Sequence, residues 1–170
     1  MKHAGTSGGR PRPRPASSEL SLSGPRYTTV CYDVAVIPAT VLPALAVLRE
    51  RASRMPGLTL LLLHGSRGRG DARVDSDWDF AFLVDGSAPF DPDDLLALVA
   101  EAIGADRIDL ADLSSASALL RYRAARDGVV VFEREPGRFQ RFWLEAVDTW
   151  CDLAPILAPL YEHTLETLPR

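Results

Sequence analysis

This sequence of 170 residues has little cysteine, no internal repeat and no long apolar run. The longest apolar candidate, Leu58–Leu63, has the length of a strand, whereas a membrane helix needs about 20 apolar residues. A membrane-spanning protein is therefore excluded. Two cysteines, Cys31 and Cys151, are too few for a disulfide scaffold or a zinc ribbon. We expect both to be buried and reduced, which predicts a cytoplasmic protein.

The net charge of −4 is unevenly distributed along the chain. Residues 1–26 carry five basic side chains and one acidic one, whereas the remainder carries 14 basic and 22 acidic ones, a net −8. Phosphate contact needs positive surface, so a body of this charge predicts no direct binding of nucleic acid. Residues 1–26 are rich in Gly, Ser, Arg and Pro and are predicted to be a disordered arm. The arm could serve an anionic partner or be a tail without function.

Hydrophobic periodicity and turn residues divide the rest of the chain into alternating helices and strands. Residues 27–37 are predicted to form a strand or an extended lead-in, and strands are predicted over residues 58–63, 77–84, 107–110 and 128–133. Helices are predicted over residues 39–53, from a cap at Asp91 to Gly104, from a cap at Ser114 or Ser115 to residue 126, and over 136–165 with interruptions at Pro155 and Pro159. This order indicates one α/β or α+β domain, with residues 58–63 as a buried central strand.

Two carboxylates at the start of the second strand of this core are the strongest chemical signal. Asp77 and Asp79 are two residues apart, so they project from the same face of a strand, while Trp78 faces the other way. Neighbouring carboxylates repel each other, and oxygen ligands of this kind suit Mg²⁺ or Mn²⁺. The preceding strand ends at Gly65-Ser66, a turn that can bring backbone N–H groups close to a phosphate. The alternative is a solvated strand end.

A third carboxylate lies in the short strand that follows the next helix. Ile108 and Leu110 share one face of that strand, and Asp109 occupies the other. Burial of a lone Asp inside a strand is costly, so Asp109 is expected to complete a cluster with Asp77 and Asp79. The sequence therefore predicts a site with three carboxylates.

At this point residues 62–84, LLHGSRGRGDARVDSDWDFAFLV, resemble the signature of minimal nucleotidyltransferases (MNT) of the DNA polymerase β superfamily. Asp109 with its two neighbours matches the third-carboxylate strand of that family, and residues 119–133 are similar to its helix–Gly–strand segment. Two positions depart from the family pattern: Gly68 replaces the usual Ala, and Trp78 replaces an aliphatic residue. Within the superfamily the chain is most similar to the MNT antitoxins that are encoded beside HEPN-domain toxins.

The resemblance implies a nucleotidyltransferase fold, with a small mixed sheet, flanking helices and C-terminal helices. It implies a domain over residues 27–170, with a core at about 39–135 and C-terminal helices at about 136–168. It also implies a reaction in which a nucleoside monophosphate passes from ATP to a hydroxyl group with the help of two Mg²⁺ ions. By the family pattern, the metal ligands and catalytic residues are Asp77, Asp79 and Asp109.

The nucleotide-binding residues that the resemblance implies are Gly65, Ser66, Arg69 and Ser76. Gly65 and Ser66 would bind the β- and γ-phosphates, and Arg69, with Arg67 less clearly indicated, would offset triphosphate charge; the alternative for both arginines is a solvated loop. The position of Ser76 favours a role in orienting the strand. His64 is adjacent to Gly65, and a scaffolding role is favoured over that of a base.

For the MNT antitoxins, the resemblance implies that AMP is attached to a tyrosine of a HEPN ribonuclease toxin in a hetero-oligomer. The acidic body suits a basic, RNA-binding partner. Two alternatives remain: a small-molecule nucleotidyltransferase, which the 37 residues after residue 133 argue against, and a non-catalytic antitoxin that acts by occlusion. One helical stripe in the last helix is predicted to belong to the core, with a docking face for a partner as the alternative: Phe139, Phe142, Trp143, Val147, Trp150, Leu153 and Ala154.

Overall fold

The computed structural model describes residues 41–167 of the chain, with side chains over 41–157. The predicted N-terminal arm, the strand-like segment 27–37 and Cys31 lie outside the described residues. Within residues 41–167, nine elements follow one another: α1 Leu42–Ser53, β1 Leu58–Leu63, α2 Gly65–Arg69, β2 Trp78–Val84, α3 Pro92–Ile103, β3 Ile108–Asp112, α4 Ala118–Asp127, β4 Val129–Glu133 and α5 Arg138–Thr167.

The four strands form one mixed sheet in the order β3-β2-β1-β4. β1 lies between β2 and β4 and pairs with both in antiparallel fashion, whereas β2 and β3 are parallel. All six residues of β1 are buried, which explains its lack of polar alternation and confirms the predicted central strand. The α/β fold class with a small mixed sheet is confirmed.

Helices cover both faces of the sheet because alternate strand residues point to opposite sides. On one face, Leu61 and Phe80 pack with residues of α1 and α3, among them Leu48 and Val99. On the other face, Leu62, Ala81 and Leu83 pack with α4 and α5, whose contributions include Ala124, Phe142 and Ala146. Asp79 precedes Ala81 by two residues in β2, so it lies on the face covered by α4 and α5.

Helix caps agree with the sequence at α3 and differ at α4. The Asp91 carboxylate accepts a hydrogen bond from the backbone N–H of Asp93 at 2.9 Å, and Gly104 ends α3 in the left-handed region, as predicted. The cap of α4 is Ser117, whose hydroxyl accepts from the N–H of Leu120, and not Ser114 or Ser115. β3 continues to Asp112, and Ser114 and Ser115 lie in the turn that follows it, ahead of the first turn of α4.

The predicted interruptions of the last helix at Pro155 and Pro159 are wrong, since α5 is one helix of 30 residues. A proline removes one backbone donor and displaces the carbonyl four residues earlier, but the flanking turns keep their own hydrogen bonds. Cys151 is exposed on this helix, so its predicted burial is also wrong. Among the residues that the structure describes, no helix is long and apolar enough to cross a membrane.

Candidate active site

The end of β1 and the start of β2 meet at residues 64–66. The backbone N–H of His64 donates to the carbonyl of Asp79 at 2.8 Å, and the carbonyl of His64 accepts from Gly68 at 3.0 Å. Gly65 adopts a φ of +64°, which a residue with a side chain rarely takes. The Gly65-Ser66 turn predicted from the sequence is therefore the first turn of the short helix α2.

The carboxylate of Asp79 lies directly against Gly65. An ideal Cβ built on Gly65 would lie 2.0 Å from Oδ2 of Asp79 and 2.7 Å from its Cγ. Only a glycine leaves room for this carboxylate, and only a glycine accepts this φ without strain. The contact places the predicted phosphate-binding turn and one predicted metal ligand side by side.

The parallel pairing of β2 with β3 brings a second carboxylate to the same place. Asp79 is opposite Asp109 in the register of the two strands, so both side chains project from one face of the sheet. Asp109 is exposed, and Asp79 is half-buried. The cost of burying Asp109, which was the argument from the sequence, therefore does not apply, and the register alone accounts for its position.

The electrostatic environment of Asp79 disfavours its charge. Burial raises the pKa of Asp79 above the ordinary carboxyl value, and the nearby carboxylates Asp109 and Asp77 raise it further, whereas His64 and Arg69 oppose the shift. Burial also lowers the pKa of His64, which favours the neutral imidazole. A cation bound among the three carboxylates would relieve this repulsion.

Asp77 directly precedes β2, and in this structure its carboxylate pairs with Arg107. Arg107 Nε lies 2.5 Å from Asp77 Oδ1, and both side chains are largely exposed. Within the described part of the chain, no three His, Cys, Asp or Glu side chains are already arranged around a common point. The donor set still fits a hard divalent cation, because it consists of carboxylate oxygens and because His64 and Arg69 only partly offset the charge of the half-buried Asp79.

The two predicted arginines of the turn occupy different surroundings. Arg69 lies 3.2 Å from the carboxylate of Asp71 and 3.9 Å from that of Asp127, and it is close enough to Asp79 to influence its pKa. Arg67 instead lies over the ring of Trp78, with its guanidinium carbon 4.0 Å from the ring centroid. Arg69 is therefore beside the carboxylates, and Arg67 is directed towards the backbone at the start of β2.

The side chain of Ser76 forms a hydrogen bond within its own loop. Its hydroxyl accepts a hydrogen bond from the backbone N–H of Arg73 at 2.8 Å, and its N–H donates to the carbonyl of Arg73. This geometry is that of a residue that shapes the loop before β2.

Arg107 and Asp127 are two charged residues near the site that reasoning from the sequence did not assign to it. From the sequence, Arg107 is only the first residue of the predicted strand 107–110. Asp127 ends α4, and a hydrogen bond from Arg126 is the main cause that lowers its pKa, with Arg69 contributing. The proximity of Arg69 and Asp127 could not be read from residues 58 positions apart, since it depends on the packing of α2 against α4.

The aromatic stripe of α5 divides into core and surface. Phe139 and Phe142 are buried, as is Ala146, whereas Trp143 is 41% exposed and Leu144 is 62% exposed. Trp150 stacks on Tyr122 of α4 with ring centroids 5.4 Å apart. Phe139 and Phe142 therefore belong to the core, and the docking role of the stripe stays a prediction.

Comparison with known proteins gives matches over this region. The family model described as "Polymerase beta, Nucleotidyltransferase" matches residues 48–137. A protein named "Protein adenylyltransferase MntA" from Aphanizomenon flos-aquae (strain 2012/KM1/D3) is 35% identical over 115 residues, which cover 59% of this chain and 77% of that protein.

Solved structures match the same fold. A chain of the crystal structure of a toxin-antitoxin with AMP-PNP superposes with a TM-score of 0.58 at 22% identity, over 72% of this chain and 96% of that chain. A chain from the complex of tri-AMPylated Shewanella oneidensis HEPN toxin with MNT antitoxin gives a TM-score of 0.51 at 22% identity, over 68% and 88% of the two chains. At these identities the likeness is one of fold.

Proposed function

Because this chain belongs to the polymerase β nucleotidyltransferase family, we propose that it transfers AMP from ATP to a hydroxyl group of a partner HEPN-type toxin and so acts as an antitoxin. Membership of the family confirms the resemblance found in residues 62–84. The adenylyl group and the protein acceptor are supported by the relative named protein adenylyltransferase MntA, which shares 35% of its residues with this chain over 115 positions. A tyrosine of the toxin is the proposed acceptor.

Asp77, Asp79 and Asp109 are the residues that would hold Mg²⁺, with two ions proposed. When bound, such ions would neutralise charge on the triphosphate and favour the deprotonated acceptor hydroxyl. Asp79 is central to this set, because it is flanked by Gly65 on one side and by Asp109 in the paired strand on the other. To bind the ion, the carboxylate of Asp77 would have to release the guanidinium of Arg107.

The triphosphate is proposed to lie along the turn at the start of α2. The backbone N–H of Gly65 and the hydroxyl of Ser66 are donors suited to phosphate oxygens, and Arg69 supplies a positive charge beside Asp79. This orientation would place the α-phosphate near the carboxylates, with pyrophosphate leaving along α2. Catalysis of this kind depends on positioning and charge neutralisation rather than on a covalent nucleophile.

The acceptor is proposed to approach from the side of Asp109. Asp109 is exposed whereas Asp79 is half-buried, and the other exposed carboxylate, Asp77, is paired with Arg107, so Asp109 is the carboxylate that a hydroxyl of another protein can reach. Asp109 would accept or orient the proton of that hydroxyl while Gly65 and Ser66 hold the leaving phosphates. An acidic body with net −8 outside residues 1–26 suits a basic partner.

The observation that carries this proposal is the contact of Asp79 with Gly65 together with its register opposite Asp109. It supports the proposal because the residues proposed to donate to phosphate and those proposed to bind metal lie next to each other, which is not expected for a solvated strand end. The family match over residues 48–137 covers all of these residues.

The test is to incubate the full chain with Mg²⁺, ATP and its cognate HEPN partner and to measure the intact mass of the partner. We expect wild type to add mass in AMP units, whereas the Asp77→Ala/Asp79→Ala variant adds none. Asp94→Asn, which changes an exposed carboxylate on α3, is the control and should transfer like wild type. If wild type leaves the partner unmodified in the presence of intact ATP, the proposal is contradicted.

Occlusion without chemistry is the second candidate, favoured by exposed Trp143 and Leu144 on α5. If the Asp77→Ala/Asp79→Ala/Asp109→Ala protein rescues cells that express the toxin as well as wild type does, occlusion accounts for antitoxin function. Trp143→Ala should then abolish the rescue.

A further inference from the structure

Two arginines hold three successive backbone carbonyls immediately before β2. Arg107 donates to the carbonyl of Asp75, and Arg67 donates through Nη2 to the carbonyl of Ser76 at 2.6 Å and through Nε to that of Asp77 at 3.2 Å. The same Arg107 also pairs with the Asp77 carboxylate. The segment 75–77 is thus fixed by one side chain from α2 and by one from the residue directly before β3.

The guanidinium of Arg67 is fixed on a second side by an aromatic ring. It lies 4.0 Å above the ring of Trp78, and Trp78 is stacked with Phe80 at 6.3 Å and an interplanar angle of 13°. Phe80 is fully buried in the core between the sheet and helices α1 and α3. Arg67 therefore rests on a rigid surface that is continuous with the core.

Arg67 and Arg69 have different surroundings, which indicates different roles. Both residues belong to α2, but Arg69 lies among carboxylates near Asp79, whereas two donor nitrogens of Arg67 are used by carbonyls and its face is covered by Trp78. A planar fork that donates to two neighbouring acceptors and stacks on a ring is a geometry that lysine cannot reproduce.

We propose that Arg67, supported by Trp78, is a positioning residue that fixes the backbone of Asp77 and thereby the direction of the Asp77 and Asp79 carboxylates towards a divalent metal ion. Arg67 acts through the carbonyls of Ser76 and Asp77 and not as a ligand of the triphosphate. Trp78, which stands between the two carboxylates, faces away from the site and provides the surface on which Arg67 rests. The inference rests on the proposed function, in which these carboxylates hold Mg²⁺.

Measurements of metal binding and of nucleotide binding distinguish the two roles that are open to Arg67, a positioning residue or a phosphate ligand. Loss of a positioning group weakens metal affinity or activity by about 10–100-fold, because the ligands are no longer held in one geometry. Loss of a phosphate ligand instead raises KM for ATP even when metal is saturating. A lysine at residue 67 keeps the charge and loses the fork, so it tests geometry rather than charge.

The experiment compares wild type with Arg67→Lys, Trp78→Leu and the double variant, all as full-length chains. Mn²⁺ binding to the nucleotide-free protein is measured from the loss of the free Mn²⁺ signal in electron paramagnetic resonance. KM for ATP is measured at saturating Mg²⁺ with the toxin partner, and Tm reports folding. Arg51→Lys, in an exposed pair with Glu101, is the matched control.

We expect Arg67→Lys and Trp78→Leu each to weaken Mn²⁺ binding by about tenfold, with KM for ATP within about twofold of wild type. The double variant should bind Mn²⁺ about as tightly as the weaker-binding single variant, because both changes disrupt the same contact between Arg67 and Trp78. Trp78→Leu keeps an apolar side chain against Phe80, so it provides a folded variant if Arg67→Lys lowers Tm below the working temperature.

Two results would overturn the inference: unchanged Mn²⁺ binding in both single variants, or a tenfold rise of KM for ATP in Arg67→Lys with Mn²⁺ binding intact. The Mn²⁺ measurement needs neither ATP nor the partner. Failure of wild type to modify the toxin would therefore contradict the proposed function while leaving the comparison of Mn²⁺ binding readable.

Discussion

The carboxylate of Asp79 fills the space that a side chain on Gly65 would occupy, since a Cβ there would lie 2.0 Å from Oδ2 of Asp79. This contact joins the turn after β1 to the carboxylates of β2 and β3. It makes the presence of glycine at residue 65 a requirement of the site itself.

Gly65→Ala should reduce nucleotidyl transfer by about 100-fold or more, because the methyl group displaces Asp79 by the order of 1 Å. The left-handed φ of +64° adds a strain of roughly 1–2 kcal/mol. Gly104→Ala is the matched control, since Gly104 has a φ of +69° with no atom within 4 Å of the added Cβ. Initial rates and Tm distinguish displacement from strain, and equal loss of rate in both variants would refute the contact as the cause.

Gly68→Ala introduces the residue that the family pattern usually has at this position. An added Cβ would lie 2.8 Å from the carbonyl oxygen of Asp127 and 2.9 Å from that of Leu63, so α2 would have to move away from α4 and β1. We expect a loss of about 1–3 kcal/mol in the free energy of unfolding, as for an overpacked core position. Urea denaturation measures it, and a stability equal to that of wild type would show that α2 shifts without cost.

Asp79→Asn should raise Tm at neutral pH in the presence of EDTA. The pKa of Asp79 is raised in the folded state by burial and by its carboxylate neighbours, so ionisation of Asp79 costs stability once the pH exceeds its unfolded pKa. The cost grows as pH rises from the ordinary carboxyl pKa to the raised one and stays constant above it. Below the ordinary value both states are protonated, and the advantage of Asn should vanish.

Thermal unfolding of wild type and Asp79→Asn at several pH values, with and without Mg²⁺, measures this effect. Bound Mg²⁺ should reduce the advantage of Asn, because the ion stabilises the ionised carboxylate. Asp94→Asn, at an exposed position on α3, controls for a general change of charge. A Tm of Asp79→Asn below that of wild type in EDTA at neutral pH would be inconsistent with the raised pKa.

Arg134→Met should lower stability without lowering the transfer rate at a temperature where the protein is folded. Arg134 donates to the carbonyls of Leu58 at 2.7 Å and Met55 at 2.6 Å and lies over the ring of Phe132, away from the carboxylates. Each carbonyl that loses its partner costs about 1–3 kcal/mol if it stays buried. Tm and initial rates measure the two effects, and an unchanged Tm would show that water replaces the guanidinium.

Local signals in the sequence were sufficient for much of the fold. The uninterrupted apolar run of Leu58–Leu63 predicted the buried central strand, and Asp91 with Gly104 predicted the two ends of α3, because these features depend on neighbouring residues. Prolines at residues 155 and 159 predicted breaks that α5 does not have, since the turns on either side continue the helix. Exposed Cys151 shows that a residue type alone does not determine burial.

The candidate site was only partly predictable. Alternation in β2 predicted that Asp77 and Asp79 share a face, but the position of Asp109 depends on the parallel register of β2 with β3, which local sequence does not specify. The pairing of Arg107 with Asp77, 30 residues apart, and the stacking of Arg67 on Trp78 also depend on packing between elements.

The most direct test of the central claim follows the fate of each phosphate of ATP. The full chain is incubated with Mg²⁺, its HEPN partner and ATP radiolabelled either in the α-phosphate or in the γ-phosphate. Nucleotidyl transfer predicts that the α-label becomes attached to the partner and that the γ-label is released in pyrophosphate, with neither event in Asp79→Asn. Attachment of the γ-label, or no attachment of either label by wild type, would contradict the account.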